Sequence, residues 1–174
     1  MKNKGFSLVE VLVGTVIVIS ATTIVLSIII SSFRISSKTT ANSVLRQNGN
    51  YALSQATRMI QFADKFESVV GSAGTLTSCT TTPPLAEYRV VNFIYDGAPA
   101  SVSCTANGIQ INNVSSIDTN KVKPVLNTCK FTCTQVEGEG PMIGINFSLA
   151  VGAGEVVEKS SSMNFSTKIK MRNN

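Results

Sequence analysis

The chain has 174 residues, 43% of them hydrophobic and only 14% charged, with a net charge of +5; ordinary soluble domains carry about 25% charged residues. That balance excludes a disordered chain, and fifteen scattered Lys and Arg do not make a polybasic nucleic-acid binder. With no His in the sequence, Ser-His-Asp and Cys-His catalysis, His-metal sites and a His-based pH switch are excluded as well.

The chain opens MKNKG, with Lys2 and Lys4 ahead of an apolar run. Val11–Phe33 is 23 residues without a charge. As a helix it reaches about 34 Å at 1.5 Å per residue, enough to cross a hydrocarbon core of about 30 Å. Positive charge before the run places its start in the cytoplasm and everything after Phe33 on the exported side. The run is too long for a cleaved secretory signal, and no small-residue cleavage site follows it. Taken alone, it is an uncleaved signal anchor. The exported part is polar but poorly charged, rich in Ser, Thr and Asn.

Glu10 interrupts the apolar stretch, between Phe6-Ser7-Leu8-Val9 and Val11-Leu12-Val13. A carboxylate at mid-bilayer costs about 2.5–3.5 kcal/mol, and less near the interface. The block Lys4-Gly5-Phe6-Ser7-Leu8-Val9-Glu10, followed by the long apolar run, resembles the prepilin signal of type IV pilins and type II secretion pseudopilins. The resemblance implies cleavage between Gly5 and Phe6 by a membrane-embedded prepilin peptidase, and N-methylation of the new Phe6 amine. It also implies that the apolar helix stays on the mature chain. Glu10 would then neutralise the Phe6 amine of a neighbouring subunit and set register during assembly, since a buried ion is tolerable only when paired. The other reading at i,i+4 spacing is a pair with its own Phe6 amine. Many major pilins carry a proline in the middle of this helix; here no proline precedes Pro83. That departure, and an Arg172-Asn173 ending similar to some minor subunits, points to a minor pilin or J-type pseudopilin.

Beyond Arg34 and Lys38, apolar residues recur at helical spacing: Ala41, Leu45, Ala52, Ala56, Met59, Ala63 and Phe66. Such a stripe predicts one buried helical face. A single helix is expected from about Phe6 to Phe62 or Phe66, with Gly49 weakening its middle by about 1 kcal/mol. The organisation expected is a leader at 1–5, a membrane or filament-core helix at 6–33, its amphipathic continuation at 34–66, and an extracytoplasmic head at 67–174.

After Pro83-Pro84 the period changes to two. Tyr88–Tyr95 reads as a strand closed by an Asp96-Gly97 turn, and Asn107-Gly108 before Ile109-Gln110-Ile111 is a hairpin signal. Residues 143–151 and 163–172 alternate apolar and polar, as half-buried antiparallel strands do. About six strands after one long helix give an α+β class. A pilin-like head, an antiparallel sheet packed on the outer half of the helix, is what the resemblance implies. Lys168, Lys170 and Arg172 share one strand face. Such a row is usually a solvated face that discourages edge pairing; its functional reading is contact with DNA, acidic glycans or lipid head groups.

All four cysteines, Cys79, Cys104, Cys129 and Cys133, lie on the exported side, where an even number predicts two disulfides. Without His or a Cys-x₂-Cys pair, zinc is a poor alternative. If 129–133 is a strand, its two cysteines stand about 13 Å apart, beyond the roughly 7 Å a disulfide spans. They are then expected to pair with Cys79 and Cys104, in either order; a tight turn would instead allow Cys129–Cys133 with Cys79–Cys104.

These readings converge on a structural subunit with no active site, cofactor or metal. Its expected partners are a prepilin peptidase, other pilin or pseudopilin subunits and an inner-membrane assembly platform, with nothing specific for nucleic acid. It would start as a single-pass inner-membrane protein and end in a surface or periplasmic filament. The alternative is a membrane-anchored binding module, an adhesin or DNA-uptake receptor with an uncleaved anchor. An enzyme is disfavoured, because Asp64, Glu67, Glu87 and Asp96 show no paired spacing.

Overall fold

A computed structural model describes residues 7–72, 74–79, 87–136, 139–152 and 160–172. The chain is α+β: one long helix and an antiparallel, curled sheet. Helix α1 runs Leu8–Gln61, about 80 Å at 1.5 Å per residue. It has two unlike halves. Every residue from Ser7 to Thr40 is exposed. From there Ala41, Leu45, Gly49, Ala52, Ala56 and Ile60 are buried at intervals of three and four, the spacing of one helical face.

Most of that face is Ala and Gly, which lets the sheet approach closely. Gly49 is therefore not simply a weak point in the helix. A Cβ there would overlap the ring of Phe165. Asn48, beside it, donates its amide to Val44 O (3.0 Å), while its Oδ1 accepts the Asp118 N–H (3.3 Å), tying a loop of the head to the helix.

The helix ends earlier than its apolar stripe suggests. Phe62 donates its N–H to Arg58 O (3.1 Å) as the cap, and Asp64 already donates to Ile94 O across the sheet (2.8 Å). Phe66, expected on the helix, lies in strand β1 (Lys65–Gly71). Its spacing after Ala63 fits a helix, but pairing with β3 (Tyr88–Tyr95) claims this backbone, and Val69 is buried opposite Val91. Of the two expected ends, Phe62 and Phe66, the first holds to within a residue: the helix stops at Gln61 with Phe62 as its cap, and 62–66 is not helical.

Ten strands occur among the described residues, more than the six or so expected. The additions are short or fall where no alternation announces them: β1, β2 (Gly74–Leu76), β6 (Val114–Ser115) and β7 (Lys123–Pro124). The others are β4 (Ala98–Thr105), β5 (Gly108–Ile111), β8 (Lys130–Thr134), β9 (Met142–Val151) and β10 (Ser161–Lys170). The main order is β10-β9-β8-β3-β4-β5-β6, with β1 on β3, β2 on β1 and β7 on β9.

The sheet forks at Tyr88. β1 runs along one edge of β3, and β4 pairs with Val90–Tyr95 along the other. Tyr88 pairs with Gly71 and with Phe131 of β8, so β8 and β4 share an edge and diverge from it. This divergence curls the sheet around the helix. Leu45, Ala52, Ala56 and Ile60 join Phe93, Phe131, Phe147 and Leu149 in one core. Each large side chain buried there contributes about 1.5–3 kcal/mol.

β10 lies along the helix. Ser161 Oγ donates to Asn42 Oδ1 at one end, Phe165 covers Gly49 in the middle, and the Arg172 N–H donates to Gln61 O (3.1 Å) at the other. Phe165 also stacks on Phe147 of β9, centroids 5.3 Å apart.

Candidate functional site

The N-terminal half of α1 is the outstanding surface of the molecule. Between Leu8 and Ile35, seventeen large apolar side chains are exposed, among them Leu12 (56%), Ile24 (61%) and Phe33 (69%). Soluble monomers rarely expose apolar patches beyond a few hundred Å². This surface requires lipid or protein around it, and the helix is long and apolar enough to be a single membrane span.

Its hydroxyls fit a dry setting. Thr15, Ser20, Thr22, Thr23, Ser27 and Ser31 each donate to a carbonyl three or four residues back, at 2.7–2.9 Å. Each donor is satisfied within the helix, so none demands a partner from its surroundings, where an unpaired polar group is costly.

Glu10 stands in the first turn of α1, its own N–H bonded to Ser7 O (3.0 Å). The positive end of a helix dipole favours a carboxylate there. Gly5 and Phe6, the expected cleavage and methylation positions, lie outside the described residues, as does the Pro83-Pro84 break.

The cysteines form two disulfides, Cys79–Cys133 and Cys104–Cys129, with Cα separations of 5.2 and 5.5 Å. Cys133 is in β8 and Cys129 just before it, on the same buried side. Cys104–Cys129 joins the two branches of the fork, β4 and the entry to β8. Cys79–Cys133 ties the segment after β2 to β8. Lys130 and Glu87 span the same region through an ion pair at 2.6 Å. That hydrogen bond and the charge of Lys130 hold the Glu87 carboxyl below its ordinary value, with a smaller push from Arg89.

Lys168, Lys170 and Arg172 are all exposed on one side of β10 and its extension. They are not equally available. Lys170 is paired with Glu139 at 3.0 Å, and the Arg172 guanidinium lies 5.9 Å from the centre of the Phe62 ring. The row is at the end of the helix remote from the apolar half, since Arg172 bonds to Gln61.

Of the four carboxylates weighed as catalytic, two, Asp64 and Asp96, are drawn to one turn. Asp64 Oδ2 accepts the Gly97 N–H at 3.1 Å and so holds the β3–β4 turn, where Asp96 and Gly97 have positive φ. Glu87 is in its ion pair, and Glu67 lies in β1. Sequence alone did not reveal the Asp64–Gly97 and Asn48–Asp118 links, because each joins residues far apart in the chain. Only the turn-forming Asp96-Gly97 pair hinted at the first. No protein-family profile, characterised protein or solved structure matches this chain.

Proposed function

We propose that this chain is an assembly subunit, a minor pilin or pseudopilin, of a type IV pilus-like filament or a type II secretion pseudopilus. The observation that carries the reading is one helix with two unlike halves, headed by the Gly5-Phe6-Ser7-Leu8-Val9-Glu10 block. The outer half lays one face against the chain's own sheet; the N-terminal half is exposed on every side and predominantly apolar.

In this mechanism the subunit waits in the inner membrane, its start in the cytoplasm and its head exported. A prepilin peptidase cuts after Gly5 and the Phe6 amine is methylated. Lipid around Leu8–Ile35 is then exchanged for the helices of other subunits at an assembly platform. The exchange is apolar for apolar, so its direction rests on packing and on the pairing of Glu10 with a Phe6 amine. Buried ions are stable only with such partners. The chain performs no reaction of its own in this scheme.

Mass spectrometry of the mature N-terminus tests it. A chain that begins at methylated Phe6 is expected. An intact Met1 would overturn the filament reading in favour of an anchored binding module, and a cut after Phe33 would overturn both.

A further inference from the structure

At the foot of the head, helix and sheet flank an open cleft of about 620 Å³. Ser36 and Ser37 of α1 line one side, Lys121 and Lys123 another, with Val44 and Val151 also in the lining. The helix sets its height. Ser36 and Ser37 lie three and four residues beyond Phe33, about 5–6 Å along the axis. The head-group layer outside the hydrocarbon is about 5–8 Å thick, so the serine side of the cleft falls within it.

The lysines reach this level because the Asp118 N–H is held by Asn48 and the chain continues from there to Asn120 and Lys121 beside Thr40. Lys121 shares its charge with Asp118 at 3.4 Å. Lys123 is exposed and, among the described residues, has no ion-pair partner. Lys38 adds positive charge at the same height on α1.

We propose that this cleft binds the phosphate of an anionic phospholipid from the membrane that α1 crosses. Lys123 and Lys121 supply the countercharge, and the Ser36 and Ser37 hydroxyls can donate to the phosphate oxygens. A bound head group would hold the head at a fixed height on the bilayer before assembly. The proposal rests on α1 as a membrane span and not on the filament.

Native mass spectrometry of the full chain, released from membranes containing phosphatidylglycerol and phosphatidylcholine, tests it. Retention of phosphatidylglycerol over phosphatidylcholine is expected. Lys123→Gln should weaken it about fivefold, the effect of one basic residue at an anionic surface. Lys168→Gln, remote from the cleft, should leave it unchanged. Asp118→Asn should strengthen it by freeing Lys121 while keeping an acceptor for the Asn120 N–H. Equal retention of the two lipids, or equal retention by the Lys123→Gln variant, would overturn the proposal. Displacement of the lipid by inorganic phosphate at cellular concentration would make this a soluble-phosphate site and overturn the lipid assignment. Lipid retention by a chain that keeps Met1 would leave the cleft standing while the filament reading falls; processing at Phe6 without lipid selectivity would do the reverse.

Discussion

Gly49 of the helix and Phe165 of β10 occupy one shared space: the aromatic ring fills the position a Cβ on residue 49 would take. The closest approach of helix and sheet therefore depends on the smallest residue available.

Gly49→Ala is expected to destabilise the head. Alanine improves helix propensity by about 1 kcal/mol, but overpacking a core typically costs about 1–3 kcal/mol, and the Phe165 ring is held by its stack on Phe147. Denaturant unfolding of the full chain in detergent should show a lower midpoint. Phe165→Leu in the same chain should remove most of the added penalty of Gly49→Ala; if the two losses simply add, the residues do not compete for space.

Peptide mapping without reduction is expected to recover Cys79–Cys133 and Cys104–Cys129. A peptide linking Cys129 to Cys133 would contradict the extended backbone at that segment. The loops closed are 54 and 25 residues long, and by chain entropy the bonds contribute about 4 and 3.5 kcal/mol. Serine pairs at either bridge should lower the unfolding midpoint, the 79/133 pair by slightly more.

The Glu87–Lys130 pair predicts a pH dependence with a definite sign. Because the carboxyl is lowered from its ordinary 4.5 in the folded chain, its contribution is present above that value. It is lost as pH falls through the lower, folded-state pKa. The pair is solvent-exposed, so the effect is small. Carboxyl NMR titration should place Glu87 below ordinary glutamates and return it toward them in Lys130→Gln. An unmoved titration in that variant would mean that Lys130 is not the cause.

Glu10→Ala should be exported and processed normally yet be poorly incorporated into filaments, as followed by the shearing of filaments from cells. Unaltered incorporation would remove the assembly role proposed for Glu10 and leave only a helix-terminus role.

The long helix and the clean strands were legible in sequence because single-element periodicity records them. Tyr88–Tyr95 reads as a strand from its own residues, and Ile143, Ile145, Phe147 and Leu149 alternate as their burial does. The end of α1 was legible only as a choice between Phe62 and Phe66. Ala63 and Phe66 continue the helical stripe by spacing alone, and only the β3 backbone, more than twenty residues away, diverts them into a strand. The cysteines show an intermediate case. Extended geometry between Cys129 and Cys133 directed both to distant partners, but choosing between Cys79 and Cys104 required the fork at Tyr88. The basic row was legible as a row, though not the sharing of its charge with Glu139 and Phe62.

Because β10 is fastened to α1 near Asn42, at Gly49 and at Gln61, tension along the helix axis meets these three attachments side by side. They must slip together instead of peeling one after another. A head secured in this way stays with its helix when the helix is pulled lengthwise, and is more easily detached by a force that lifts one end of the strand.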